Sequence, residues 1–320
     1  MKKILITGSS GFIGMHLSKS LLEDGYSVCG IDNMNDYYDP SLKEARLNLL
    51  HNYDNFTFKK IDISNLQDVE IVFDKFEPEI VINLAAQAGV RYSLLNPKKY
   101  IKSNITGFCN LFESINSKKL KKVIYASSSS VYGDTKKFPT KEIQLTNPKN
   151  IYGYTKVMNE KMASHYSQKF GVSFIGLRFF TIYGIWGRPD MFILKALIQS
   201  YKKKIFKLNN NGNHLRDFTS IKDVIKILSK IVKKKFKKNE IFNVCSNNPQ
   251  NMKKVFDLIQ REYGLINYKN IKKNKADVLN THGDNSKIKK LSKIKKFQNL
   301  ENELIEIVSW FKKVRNLNLF

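Results

Sequence analysis

Cysteine is scarce: Cys29, Cys109 and Cys245 lie far apart in 320 residues, with no C-x-x-C pair among them. Neither a disulfide framework nor a zinc site is suggested, no metal is expected, and buried free thiols are the ordinary outcome. Long apolar runs are missing as well. No stretch approaches the roughly 20 apolar residues that span a bilayer, and the opening run from Met1 to Ile6 is cut short by Gly8, too early for a secretory core. A cytoplasmic protein is expected, with no membrane partner. Ser/Gly linkers and internal repeats are absent, so the chain reads as a single compact unit with a cleft between two lobes.

Acidic residues are few: 28 stand against 55 basic ones, a formal charge of +27. Such an excess raises nucleic acid or an anionic membrane as a partner. The excess is mostly lysine after Tyr201, in runs such as Lys202 to Lys204 and Lys233 to Lys235, in a chain also rich in Asn and Ile. Without aromatics set for base stacking or a binding module, nucleic acid is not an expected partner. A basic surface can instead draw in a small polyanion.

A hydrophobic content of 42% is enough to fill a substantial core. Up to about Lys156, short β-rich apolar runs alternate with longer amphipathic segments, the signature of βαβ units on a parallel sheet. The expected strands are Lys3 to Thr7, Ser27 to Asp32, Phe56 to Lys60, Ile80 to Leu84, Lys122 to Ala126 and Ser173 to Arg178. Helices are expected between them, among them Ile13 to Asp24 and Asn104 to Asn116. Past Phe179 the regularity gives way to Gly-, Asn- and Pro-punctuated segments with helices at Met191 to Tyr201, Lys222 to Lys234 and Lys253 to Tyr263. The fold class is α/β: a doubly wound parallel sheet with a smaller C-terminal lobe. Residues 1–178 form mainly a dinucleotide-binding domain and 179–320 mainly a substrate-binding lobe, the two interleaving.

Thr7-Gly8-Ser9-Ser10-Gly11-Phe12-Ile13-Gly14 follows the first strand and opens the first helix, with the spacing G-x-x-G-x-x-G. Glycine is needed there because the turn is tight and the backbone must come close to a pyrophosphate, which the helix N-terminus then faces with unpaired N–H groups. Asp32 closes the second strand about 20 residues further on, where a carboxylate accepts hydrogen bonds from the adenosine ribose hydroxyls. With no Arg beside it to neutralise a 2′-phosphate, the pattern argues for NAD. Asp62, just after the third strand, is a candidate for an adenine contact.

Tyr152 and Lys156 form Y-x-x-x-K on an expected helix, one turn apart on one face. A phenol must lose its proton to act as a base, and a nearby ammonium lowers its pKa. Lysine can also hold the nicotinamide ribose. The serine run Ser127 to Ser130 closes the fifth strand, at the sheet edge where α/β proteins keep their ligands, and offers a hydroxyl to bridge tyrosine and substrate.

On these residues the chain resembles the extended short-chain dehydrogenase/reductase sugar-nucleotide epimerases, most closely the UDP-glucuronate 4-epimerases. The resemblance covers nearly the whole chain. It runs through Asp-Asn-Met-Asn-Asp-Tyr-Tyr-Asp at 32–39, Leu-Ala-Ala-Gln-Ala-Gly-Val-Arg-Tyr-Ser at 84–93, the serine run through Gly133, and Leu-Arg-Phe-Phe-Thr-Ile-Tyr-Gly at 177–184. Trp-Gly-Arg-Pro-Asp-Met at 186–191 and Arg-Asp-Phe-Thr at 216–219 complete it.

The resemblance implies a Rossmann-type fold, tightly bound NAD, a UDP-linked uronic acid as substrate and a homodimer paired through the helices around Asn104 and Tyr152. Tyr152 would take the proton from the sugar O4, Ser128 would hydrogen-bond O4 with Ser127 and Ser129 as fallbacks, and Lys156 would tune the tyrosine. The implied cofactor set is Gly8, Gly11, Phe12, Ile13, Gly14, Asp32, Asn33, Asp62, Ala85, Ala86, Asn104, Ser127, Tyr152 and Lys156. Arg188 and Arg216 would grip the diphosphate, Arg91 would serve either partner, and Thr181 with Ser129 would hold the sugar carboxylate. Three positions depart from the family pattern: Ile185 stands where proline is usual, and Ala276 and Leu279 where Gly and Pro are usual.

Overall fold

The computed structural model describes residues 1–115, 119–273 and 277–320. Its strands are β1 (Lys3–Thr7), β2 (Ser27–Asp32), β3 (Phe56–Lys60), β4 (Ile80–Asn83), β5 (Lys122–Ser128), β6 (Ser173–Phe179), β7 (Thr181–Tyr183), β8 (Phe206–Asn209), β9 (Leu215–Ser220), β10 (Glu240–Val244), β11 (Pro249–Asn251) and β12 (Tyr268–Ile271). Seven of them form one parallel sheet in the order β10-β6-β5-β4-β1-β2-β3.

These strands are apolar along most of their length because helices cover both faces of the sheet. In β1 the period of two is visible in the packing: Ile4 and Ile6 face one core layer with Met15, Leu17 and Ile227, while Leu5 faces the other with Phe73, Phe108 and Phe112. Only β3 is largely exposed, at the sheet edge, where Lys59 and Lys60 discourage further strand pairing.

The six expected strands are all present, three with ends shifted by one or two residues. β10 was not anticipated. Its five residues follow a lysine-rich segment and carry too short an apolar run to stand out, yet it pairs with β6 from Glu240↔Ile175 to Val244↔Phe179. The helix Ile221–Lys233, also from the C-terminal half, packs its Val224, Ile227, Leu228 and Ile231 into the same core as the first helix, Phe12–Glu23. Among the other expected helices, Phe192–Tyr201 and Met252–Tyr263 start within one residue of their expected starts and end where expected. The regular helix expected from Asn104 is instead a π-turn, Ile101–Thr106, running into a helix at Gly107–Glu113; Asn116, its expected end, lies outside the described residues. Cys29 and Cys245 are buried free thiols and Cys109 is a half-buried one.

A second layer joins β11, β9 and β7, and a parallel pair joins β12 and β8. Around them the helices Phe192–Tyr201, Met252–Tyr263 and Leu300–Val314 close a separate core in which Phe206 stacks on Phe256 at 5.3 Å. No helix among the described residues is long and apolar enough to cross a membrane.

Lys122 fastens the two halves of the main core. Its buried Nζ donates 2.7 Å hydrogen bonds to the carbonyls of Ile231, Val232 and Lys234, at the end of the Ile221–Lys233 helix, where a cation complements the helix dipole. Burial nevertheless lowers its pKa to about 8. Lys122→Met, which keeps the length but removes the donors, is expected to cost roughly 2 kcal/mol of stability in urea unfolding, with the m-value unchanged.

Candidate active site

The connections from β1 run through β2 to β3 on one side and those from β4 through β5 to β6 on the other, so the strand order reverses between β1 and β4. Ligand crevices in such sheets open at the carboxyl ends of the strands flanking this point. A cleft of about 790 Å³ lies there.

Its floor is the glycine turn. Thr7 Oγ1 donates to Asn83 Oδ1 at 2.6 Å and accepts from the Ala85 N–H at 3.1 Å, which draws the ends of β1 and β4 together. Gly8, at φ +71°, passes so close that a Cβ would sit 2.9 Å from Ala85 N; one on Gly14 would sit 2.0 Å from the Gly8 oxygen. The turn therefore offers bare backbone to the cleft at the N-terminus of the Phe12–Glu23 helix, whose first turn carries no acidic residue. The hydroxyls of Ser9 and Ser10 are buried there with no hydrogen-bond partner among the described residues. Such a cradle suits a pyrophosphate.

Gly8, Gly11, Phe12, Ile13, Gly14, Asp32, Asn33, Asp62, Ala85 and Ala86 all line the cleft. Asp32 accepts from the Met34 N–H at 2.9 Å, and the buried Lys43 Nζ lies 3.8 Å from it while donating to the Asn35 carbonyl and Oδ1. Burial pushes the Asp62 carboxyl up, but hydrogen bonds from Ser64 and Asn33 and the charge of Lys102 outweigh it and hold the group below its usual range.

Asn104 is not among the lining residues. Its Oδ1 accepts from the Gln87 N–H at 2.8 Å, and its Nδ2 donates to the Gln87 carbonyl and to Thr155 Oγ1. The amide thus ties the cleft wall to the helix behind it.

That helix, Ile151–Phe170, is capped by Asn150, whose side chain accepts from the Gly153 N–H, and it ends on Gly171 at φ +64°. Tyr152 lies in its first turn and Lys156 in the next; Lys156 Nζ is 5.9 Å from the Tyr152 ring centre and donates to the Ala126 carbonyl at 2.9 Å. Burial raises the Tyr152 pKa, while a hydrogen bond with Ser128 and the charge of Arg188 pull it down. The downward influence expected of Lys156 comes from those two groups instead. Burial lowers Lys156 itself to about 8, opposed by Glu160. Of the serines, Ser128 meets the phenol and Ser129 faces the cleft. Ser127 also touches the cleft wall, but its hydroxyl donates to Glu160 Oε1 at 2.6 Å.

Beyond Tyr152 the cleft becomes basic. Arg188 Nε donates to Asp190 Oδ1 at 2.9 Å, and Tyr37 donates to Asp190 Oδ2 at 3.1 Å. Burial would lower Arg188, but Asp190 overrides it and raises its pKa. Arg216 donates to the carbonyls of Leu215, Val278 and Leu279, and burial lowers it to about 10. Leu279 therefore meets Arg216 through its carbonyl, which any residue type supplies; Ala276 lies outside the described residues. Arg91 pairs with Asp277 at 2.6 Å, and Thr181 opens β7 on the same wall.

Lys43, Lys195, Lys207 and His214 line the cleft as well, unmarked by any sequence motif, together with Tyr37 of the 32–39 stretch. Arg46 is a further residue that sequence reasoning missed. Fully buried, it donates to the carbonyls of Ser10, Trp186 and Gly187 and to the Tyr38 hydroxyl, so that it bridges the glycine turn and the loop carrying Arg188. Lys43 and Arg46 lie one turn apart on the Ser41–His51 helix, and no sequence signal marks them, because burial of a basic face is set by tertiary packing. No group of three or more metal-ligating side chains occurs among the described residues.

A sequence model of the NAD dependent epimerase/dehydratase family matches residues 4–245. The chain is 38% identical over 312 residues to a UDP-glucuronate 4-epimerase of Thermodesulfobacterium geofontis, covering 96% of this chain and 95% of that protein. It superimposes on the crystal structure of UDP-glucuronic acid 4-epimerase from Bacillus cereus in complex with UDP-glucuronic acid and NAD, with a TM-score of 0.91 at 29% identity, covering 98% and 99% of the two chains. It also superimposes on a UDP-glucose 4-epimerase from Thermotoga maritima with UDP-glucose, with a TM-score of 0.87 at 28% identity, covering 98% and 99%.

Because the Ser128 hydroxyl favours the ionised phenol, Ser128→Ala is expected to move Tyr152 ionisation to higher pH. Tyrosinate difference absorbance, with Tyr152→Phe as the blank, reads this directly; an unmoved or lowered midpoint would show that the hydroxyl does not act on the phenol.

Proposed function

From the premise that the chain belongs to the NAD dependent epimerase/dehydratase family, we propose that it is an NAD-dependent UDP-sugar 4-epimerase, and that its sugar is a uronic acid: UDP-glucuronate converted to UDP-galacturonate. The observation that carries the reading is the single cleft in which Tyr152, Ser128 and Lys156 lie between a pyrophosphate cradle and a cluster of arginines. The cradle fits NAD, with the Gly8 to Gly14 turn on the diphosphate, Asp32 on the adenosine ribose, Asp62 near the adenine and Lys156 on the nicotinamide ribose. A carboxylate at Asp32 disfavours a 2′-phosphate, and the neighbouring Lys43 is already engaged with Asn35.

NAD held by these residues would supply reversible hydride transfer at C4 of the sugar, by way of a transient 4-keto sugar. The chain's own residues manage the protons. Tyr152 takes the O4 proton and gives it back, Ser128 holds O4 at hydrogen-bond distance from the phenol, the Arg188 charge favours the phenolate, and the Lys156 ammonium holds the nicotinamide ribose beside them. Arg188 and Arg216 neutralise the UDP diphosphate, with Arg91 beside them. A 4-keto uronate is a β-keto acid that readily loses carbon dioxide. Thr181 and Ser129, on the wall near Tyr152, are suited to hold its carboxylate by hydrogen bonds, keeping the C5–carboxylate bond out of line with the ketone π system.

A neutral UDP-hexose or N-acetylhexosamine is the second reading, favoured by the likeness to a UDP-glucose 4-epimerase. UDP-glucuronate decarboxylation is the third. A 4,6-dehydratase needs an acid and base pair directly after the catalytic hydroxyl, where this chain has Ser129 and Ser130. A sensor that only binds NAD has no use for the Tyr152, Ser128 and Lys156 set.

We also propose a homodimer. Leu94, Leu95, Ile101, Tyr154 and Met158 are large apolar residues, each about half exposed or more, on the segments Val90–Leu95, Ile101–Thr106 and Ile151–Phe170. Sedimentation showing only monomer at micromolar concentration would remove the proposal.

Incubation with UDP-glucuronate, followed by chromatography and proton NMR, is expected to yield UDP-galacturonate without net NADH or carbon dioxide. Carbon dioxide release, or turnover confined to UDP-glucose or UDP-N-acetylglucosamine, would replace the uronate. Tyr152→Phe should lower kcat about a thousandfold with little change in KM. On the alkaline side, wild-type kcat should fall through about pH 8 as Lys156 loses its proton.

A further inference from the structure

Behind the cleft, three elements meet at one buried carboxylate. Glu160, one turn beyond Lys156 on the Ile151–Phe170 helix, accepts from Ser127 Oγ at 2.6 Å and Arg178 Nε at 2.8 Å on Oε1, and from Arg178 Nη2 at 2.7 Å on Oε2. Both side chains of the ion pair are less than one-tenth exposed. Ser127 and Arg178 are register partners on β5 and β6, so the carboxylate reaches across both strands from the helix above. Arg178 is itself fixed: Nη1 donates to the Tyr132 hydroxyl at 2.8 Å and to the Glu142 carbonyl at 3.0 Å, and its guanidinium lies over the Tyr132 ring.

A pair this enclosed is costly to desolvate and is weak evidence for stability as such. Its position is informative. Ser127 precedes the serine that meets the phenol, and Glu160 shares a helix with Tyr152 and Lys156. We propose that Glu160, held by Arg178, is a positioning residue for the proton-transfer set: it seats the helix on β5 so that Tyr152 meets Ser128, and it keeps the buried Lys156 ammonium protonated at neutral pH.

The groups facing Lys156 support this. Its own helix brings the Tyr152 ring and the charge of Glu160, and β5 brings the Ala126 carbonyl; Arg178 of β6 meets Glu160 bidentately. Glu160 opposes the desolvation of the ammonium. Without that negative charge, Lys156 loses its proton at lower pH.

The activity readout rests on the epimerase reading, so the closing experiment pairs it with one that does not. Competitive labelling of Lys156 with a small acylating reagent across pH, read by peptide mass spectrometry on the full-length protein, gives the lysine midpoint without any substrate. In Glu160→Gln the midpoint is expected to fall by about one pH unit, the alkaline limb of kcat to move down with it, and kcat at neutral pH to drop about tenfold with KM nearly unchanged. Ser127→Ala, which removes one clip and no charge, should lower kcat without moving either midpoint. If Glu160→Gln does not fold, the double variant Glu160→Leu, Arg178→Leu replaces the pair by apolar side chains, and the Lys156 midpoint is expected to fall by less than in the single variant, because the arginine charge leaves with the carboxylate. A shifted lysine midpoint with no turnover of any UDP-sugar by the wild type would retain this proposal and sink the epimerase reading. An unmoved lysine midpoint in the folded variant overturns the proposal, whether or not activity falls.

Discussion

The cleft depends on one close approach, where the chain leaving β1 passes over the chain leaving β4. Thr7 bonds to both Asn83 and Ala85, and Gly8 lies against the Ala85 backbone with no room for a Cβ. That contact brings the switch point of the sheet and the helix N-terminus into one place. It also fixes where Ala85 and Ala86 meet the cleft and thereby the start of the segment that carries Gln87, which Asn104 ties to the Ile151–Phe170 helix. Through that chain of contacts, the proposed cofactor cradle and the proposed base share a rigid frame.

A second feature of the molecule is its use of buried or half-buried basic groups that face carbonyls. Lys122 caps a helix, Arg46 joins the glycine turn to the Trp186 and Gly187 carbonyls, Lys43 holds Asn35, and Arg216 holds the 278–279 backbone. An unpartnered buried cation is expensive, and carbonyl dipoles in fixed positions offset that expense while leaving net positive charge in place. A site meant for a dianionic diphosphate gains from this arrangement, because its charge is present before the ligand arrives and needs no reorganisation.

The sheet was legible because helices cover both its faces, which forces nearly continuous apolar runs in β1, β2, β4, β5 and β6. β10 escaped notice because a five-residue strand beside a lysine-rich segment has no periodicity of its own, and its pairing with β6 comes from contacts far apart in sequence. The π-turn at Ile101–Thr106 escaped for a similar reason. Local propensity favours a regular helix there, and the widened turn accompanies tertiary bonds from Asn104 to Gln87 and Thr155 and from Asn159 to the Asn104 carbonyl.

For the site, the glycine spacing, Asp32 and the Tyr152–Lys156 pair were open to reading because each is a local pattern set by backbone geometry or a single helical turn. Which serine meets the phenol is not set by any local pattern: the resemblance pointed to Ser128, and the strand end turns its hydroxyl to Tyr152 and that of Ser127 to Glu160, while all three serines line the cleft. Nor could the sequence reveal that Asn104 stands behind the wall, or that Arg46 and Lys43 are buried in front of the glycine turn. By itself, then, the sequence determined the fold class, the family resemblance and the chemistry-bearing local motifs, because these depend on short-range spacing and apolar period. Only the tertiary structure decided which polar groups share a partner, because burial and charge pairing join residues on different elements, from Glu160 and Arg178 to pairs more than a hundred positions apart such as Arg46 and Trp186.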